Sequence, residues 1–168
     1  VGHQLLDTPA HLAVVAVQQA LAFRLAGTGE PGLRAHVKAL KAAPVGQQLT
    51  EADQLLAGIG MPAWKVASGE VTNLLLLEAI LQTGGPVMLS SGMSTLRELE
   101  VAANRVHQAG ARLCILQCTT EYPTPPERVG LNLLAELRDR FGCPVGLSDH
   151  SGTPAMGIAA VALGATLL

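Results

Sequence analysis

From residue 50 onward, short apolar runs alternate with longer stretches whose apolar residues recur every three or four positions. The short runs are "WKVASGE", "PVMLSSGM", "RLCILQC" and "PVGLSDHSG", each a few apolar residues ending in a polar or glycine-rich loop. The longer stretches are "TEADQLLAGIG", "VTNLLLLEAILQTGG", "STLRELEVAANRVHQAG", "NLLAELRDRFG" and "PAMGIAAVALGA". Period 2 or unbroken apolarity over a few residues marks a strand, and period 3.6 marks a helix. Helix boundaries are also written in: Ser94 as an N-cap, Gly110 as a stop, and Pro154 near a first turn. The closing run "GATLL" begins one more strand.

Strands that are apolar throughout and alternate with helices form a parallel sheet covered by those helices. The expected strand ends, Ser68, Ser90, Cys118 and Ser148, are separated by 22, 28 and 30 residues. A (β/α)8 barrel spends about 250 residues on eight units, or roughly 31 on each. The pattern therefore predicts an α/β fold, a partial (β/α)8 TIM barrel of about the last five βα units. A doubly wound open sheet is the rival, weakened by the lack of GxGxxG after a first strand.

Residues 1–49 do not share this rhythm. "HLAVVAVQQALAFRLAG" and "GLRAHVKALKAA" read as two helices, and Gly46, Gln47 and Gln48 spoil "APVGQQL" as a strand. The expected division is an atypical helical segment over 1–49, for which a mis-joined or frame-shifted stretch is one reading, and a partial barrel over 50–168. A start on Val1 and a stop inside an apolar run suggest a fragment.

Composition narrows the class. Hydrophobic residues make up 49% of the 168, enough for a sizeable core, while aromatics are only 2%. The net charge of −2 is spread along the chain, with no basic footprint for nucleic acid or a membrane surface. Cys114, Cys118 and Cys143 form no CxxC pair and read as reduced thiols of a cytoplasmic protein.

Chemistry concentrates at the expected strand ends: Lys65, Ser68 and Glu70; Ser90 and Ser91; Thr119, Thr120 and Tyr122; Ser148, Asp149 and His150. In a barrel these ends converge on one rim, where active sites lie. Polar βα loops are common for any one strand; four in succession favour a site. Lys65 near a strand tip calls for an anionic partner, either a ligand or Glu70 or Asp149. Glu70 also suits a capping carboxylate in a turn. Cys118 reads as a small rim residue, Trp64 as packing, and His3, His11, His36 and His107 as packed or surface histidines. The only tyrosine, Tyr122, lies in "CTTEYPTPPE", with three prolines in the next four positions. Such a loop is rigid and has little conformational freedom to lose when it holds a side chain over the rim.

"WKVASGEVTNLLLLEAI", "PVMLSSGMSTLRELE", "CTTEYPTPPE" and "PVGLSDHSG" together resemble the sialic acid synthase family: the N-acetylneuraminate synthases and the bacterial enzymes for legionaminic and pseudaminic acids. The resemblance runs from about residue 50 to 168. It implies a condensation of phosphoenolpyruvate with an N-acetylated hexosamine (N-acetylmannosamine or a bacterial analogue), giving a nine-carbon 2-keto sugar acid and phosphate. It implies that Lys65, Ser68, Ser90 and Ser148 hold phosphoenolpyruvate, that Glu70 faces the reacting centre as the catalytic acid or base or as a sugar-orienting group, that Tyr122 contacts the sugar, and that Thr120 is substrate-binding. His150 becomes one of two histidine ligands of a divalent metal, Mn2+ or Mg2+, the second being expected beyond Leu168. The intact protein is expected to be a homodimer with a C-terminal antifreeze-like domain, which this chain lacks. The chain by itself is expected to self-associate and to lack synthase activity. Two other readings stay open: another phosphoenolpyruvate-dependent barrel synthase or aldolase, and an inactive remnant that only packs with partner chains.

Overall fold

A computed structural model describes residues 62–168; the expectations for residues 1–61, including His3, His11, His36 and the helix in "TEADQLLAGIG", lie outside them. Four strands appear where the apolar runs predict them: β1 Trp64–Val66, β2 Val87–Ser90, β3 Leu113–Cys118 and β4 Val145–Ser148. Between and after them lie α1 Leu74–Gln82, α2 Leu96–Gln108, α3 Leu133–Phe141 and α4 Pro154–Ala162. All neighbouring pairs are parallel, and the sheet order is β1-β2-β3-β4. A fifth parallel partner begins at Leu167, which bridges Gly146, while Thr166 N–H donates to the Val145 carbonyl at 2.8 Å.

Strands in unbroken chain order are the mark of a barrel. A doubly wound sheet reverses direction at its switch point. The fold is a segment of a (β/α)8 barrel.

Alternation along each strand sorts side chains onto two faces. Val66, Leu89, Ile115, Val145 and Leu147 share the face toward the helices and are all buried. They meet Leu99, Ala102, Ala103 and Val106 of α2, spaced as one helical face requires, and Leu134, Leu137 and Phe141 of α3. Each fully buried aliphatic side chain in this layer contributes roughly 1.5–3 kcal/mol. Trp64 belongs to the same face and packs beside Gly85, as a structural tryptophan. The opposite face carries Lys65, Met88, Ser90, Leu116, Cys118, Gly146 and Ser148.

One expected cap is displaced. Thr95, not Ser94, opens α2: its Oγ1 accepts the Glu98 N–H at 3.3 Å, and Glu98 Oε2 accepts the Thr95 N–H at 2.8 Å. This is a capping box, which requires Glu three residues after the cap; Ser94 has Arg97 there. The Thr95 backbone and then its hydroxyl hold the Glu98 carboxyl below its ordinary range. Gly110 and Pro154 stand as expected, Gly110 with φ of 70° just past α2 and Pro154 at the start of α4. Among the described residues no helix is long and apolar enough to cross a membrane.

Gly146 shows how tightly the inner face closes. A Cβ there would come within 2.5 Å of the Leu167 carbonyl oxygen and 2.8 Å of Leu116 Cδ2. The Gly146→Ala chain is expected to lose about 1–3 kcal/mol of stability, the usual cost of overpacking. Urea denaturation measures it, and an unchanged midpoint would mean that Leu167 is not seated on β4.

Candidate functional site

The polar strand ends predicted from sequence do gather on one side of the sheet. Lys65 is exposed, because its strand position turns it to the inner face. Its Nζ donates to Ser148 Oγ at 2.9 Å, and its partner is neither Glu70 nor Asp149. β1 and β4 are separated by two intervening strands. On a flat sheet three strand spacings amount to roughly 14 Å, beyond the reach of a lysine. The contact exists because the sheet curls and brings its outer strands together over a concave face.

The loop after β1 is a single 3₁₀ turn, Ser68–Glu70, which carries Glu70 into a buried position. Glu70 Oε2 accepts Asn73 Nδ2 at 2.8 Å, and Oε1 is buried without a partner. Burial raises the carboxyl above its ordinary value, and the Asn73 hydrogen bond opposes that. Ser90, at the end of β2, is likewise buried with its hydroxyl unpartnered. Ser68 sits half-buried nearby in chain, its carbonyl accepting Ser94 Oγ at 3.4 Å.

The loops after β3 and β4 meet at a second pair. The Tyr122 and His150 rings lie 4.4 Å apart at 51°, with 3.5 Å between the phenol oxygen and Nε2. Burial, then the positive charge of Lys65, pushes the imidazole below its ordinary value, against the opposing pull of Asp149. His150 is therefore neutral at pH 7, as a ligating or proton-accepting imidazole must be. The Lys65 charge that acts on it links this pair to the Lys65–Ser148 pair.

Two sequence candidates are used differently. Asp149 faces Ser151, whose N–H and hydroxyl take its two oxygens at 2.8 and 3.0 Å, so it shapes the turn that presents His150. Thr120 Oγ1 donates to the Gly92 carbonyl at 3.3 Å and ties the β3 loop to the β2 loop. His107 is exposed late in α2, and all three cysteines are free. Burial and the neighbouring Cys143 push Cys114 up to about 11, so it is protonated at neutral pH and no nucleophile.

Three residues of the site escaped the sequence reading. Asn73 caps α1 through the Leu76 N–H at 3.2 Å while it holds Glu70; an Asn just before "LLLL" is a readable cap signal. Gln117, buried within the apolar run, accepts Ser91 Oγ at 3.3 Å and donates to the Val129 carbonyl at 3.1 Å. Thr124 is buried inside the proline loop.

Among the described residues no group of three or more His, Cys, Asp or Glu is arranged to hold a metal. His150 offers one neutral imidazole, and the Asp149 oxygens beside it are taken. These residues do not make a metal centre by themselves.

A curled parallel sheet whose strand ends gather an ammonium group, buried hydroxyls, a carboxyl raised above its ordinary value and an imidazole has the arrangement of a barrel's polar rim. The family model described as NeuB family matches residues 35–168, beginning ahead of the motifs near residue 50. The chain belongs to the NeuB family. It is 40% identical over 121 residues to an N,N'-diacetyllegionaminic acid synthase of Campylobacter jejuni, covering 70% of this chain and 36% of that protein. It is 36% identical over 116 residues to the human N-acetylneuraminate-9-phosphate synthase, covering 68% and 32%. The crystal structure of a spore coat polysaccharide biosynthesis protein from Bacillus subtilis superposes with a TM-score of 0.66 at 31% identity, over 69% of this chain and 33% of that one. The chain spans about a third of the length of the curated relatives it matches.

Asn73 generates a test. In Asn73→Ala the lost cap should cost about 1 kcal/mol, and Glu70 should rise further, having lost the bond that holds it down. A carboxyl raised in the folded state adds stability below its unfolded value and loses it as pH rises through the folded value. The variant should therefore lose that stability at a higher pH than the parent. Denaturation across pH 4–8 measures both effects, and an unshifted pH profile would remove Asn73 from control of Glu70.

Proposed function

We propose that this chain carries part of the active site of a sugar-acid synthase, which joins phosphoenolpyruvate to an N-acetylated hexosamine and yields a nine-carbon 2-keto sugar acid and phosphate. C3 of phosphoenolpyruvate forms the new bond to the aldehyde carbon, water adds at C2, and phosphate leaves. The names of the matched relatives support the sugar-acid class. The observation that carries the finer reading is the Lys65–Ser148 contact on the concave face, with the unpartnered Ser90 hydroxyl on the same face.

Phosphoenolpyruvate carries a phosphate and a carboxylate and needs a cation with several donors. Lys65 supplies the charge, and an incoming anion takes over the bond that Ser148 now accepts. A buried hydroxyl without a partner costs about 1–3 kcal/mol, which a ligand oxygen at Ser90 recovers. Ser68 adds a donor from the β1 loop. Glu70 keeps its proton to a higher pH than an ordinary carboxyl and has one free oxygen, which suits a general acid or base. Tyr122, with an exposed ring, and Thr120 face the sugar. In this reading His150 would be one ligand of a divalent metal, Mn2+ or Mg2+, with the other ligands outside the described residues, and the chemistry supplied there would be polarisation of the aldehyde oxygen. A cytoplasmic setting and a homodimer belong to the same reading, the former supported by the three free thiols.

Calorimetric titration of the chain with phosphoenolpyruvate tests the proposal. Lys65→Met should weaken binding at least about tenfold, as expected for loss of a charge-assisted contact. Equal binding by parent and variant, or none by either, would overturn the assignment.

A further inference from the structure

We propose that Thr124 is the positioning residue of this site: it clamps the proline loop to the end of β4 and so holds Tyr122 against His150. Thr124 is 3% exposed, although it lies between the exposed Pro123 and the partly exposed Pro125 in a surface loop. Its backbone N–H donates to the His150 carbonyl at 2.9 Å. Its hydroxyl proton points to the Glu121 carbonyl at 2.6 Å, with the Thr119 carbonyl also within reach at 3.3 Å. One residue thus fastens the loop both to itself and to the neighbouring strand end.

The prolines make this anchor singular. Pro123, Pro125 and Pro126 have no N–H, so Thr124 carries the one backbone donor over residues 123–126. Among the described residues its bond is the one backbone hydrogen bond that joins this loop to the β4 loop. The other ties of the loop, Thr119 Oγ1 to the Arg128 carbonyl at 2.8 Å, Gln117 to Val129 and Thr120 Oγ1 to the Gly92 carbonyl, run within the loop, to its own strand or to the β2 loop, and do not reach His150. Tyr122 is 70% exposed, and the aromatic contact of its ring is with His150. Its geometry over His150 is inherited from the backbone two residues on.

The contact can be read by NMR without activity. The chain has one tyrosine and five histidines, so the Tyr122 ring is identified by residue type and His150 by its disappearance in His150→Gln. The parent should show a ring-to-ring Overhauser effect between the two, and its Thr124 amide should exchange at least about a hundredfold more slowly than an unstructured loop amide. Thr124→Ser, which keeps the hydroxyl, should retain the ring contact. Thr124→Pro, which removes the N–H that the His150 carbonyl accepts, should lose it, with the methyl signals of Leu99 and Ile115 unmoved. A ring contact unchanged in Thr124→Pro, or a fast-exchanging Thr124 amide in the parent, overturns the proposal. If Thr124→Pro does not fold, a fast-exchanging parent amide or a Thr124→Ser chain without the ring contact overturns it. The role of Thr124 at a substrate site rests on the synthase reading, but these readouts do not. Loss of phosphoenolpyruvate binding with the ring contact intact would sink that reading and leave the clamp standing.

Discussion

The curvature of the sheet is the constraint on which everything else in the described residues depends. Lys65 on β1 meets Ser148 on β4 only because four parallel strands, in chain order, coil far enough to face one another. Parallel strands twist with a fixed hand, and helices packed on one face hold that twist as a curl. The outer face of Val66, Leu89, Ile115 and Val145 is therefore part of the site's machinery, although it never touches a ligand. Flatten the sheet, and the ammonium and hydroxyl groups separate while every backbone hydrogen bond survives.

Polar groups on this scaffold divide into two populations. Gln117, Thr124, Asp149 and Ser151 are satisfied within the protein, and their bonds run from loop to loop. Glu70 and Ser90 each keep a buried oxygen without a partner. Native proteins leave few such atoms, because each forgoes a hydrogen bond it would have made in water. On the synthase reading, their position at successive strand ends, with a lysine on the first strand that has no acidic partner among the described residues, makes them part of a binding surface. The Trp64 indole N–H is also unpartnered, but it faces the helices and has no part in this surface.

The architecture was legible because each signal was local. Four apolar runs became four strands, and Gly84, Gly110 and Gly142 sit at positive φ just past α1, α2 and α3, where glycine alone is unstrained. The convergence of polar strand ends followed from parallel topology. What was not legible depends on side-chain direction and on distant partners. The exposure of Lys65 was one such detail, because burial on a three-residue strand hangs on a pleat phase too short to read. Asp149 was a candidate partner for Lys65 until its turn with Ser151 claimed it. The displaced cap was within reach: Thr95 with Glu98 spells the capping box, and Ser94 simply stands one residue earlier.

The proline loop shows why such details decide function. Prolines remove conformers from the free chain, so a rigid loop loses little entropy when a ligand arrives. Rigidity alone does not aim a side chain. A stiff segment hinged at both ends swings as a body, carrying Tyr122 with it. Direction comes from bonds to the rest of the rim, and proline is the residue that cannot donate one. A loop stiffened by three prolines must therefore direct its few remaining donors well. Here Thr124 gives its N–H to the strand end that carries His150, Thr120 gives its hydroxyl to the loop after β2, and Gln117 accepts from Ser91 of that same loop. Three adjacent βα loops are cross-tied through these groups. The geometry of Tyr122 and His150 is thus a property of the tied loops as a unit, and a substitution that spares both rings can still move one against the other.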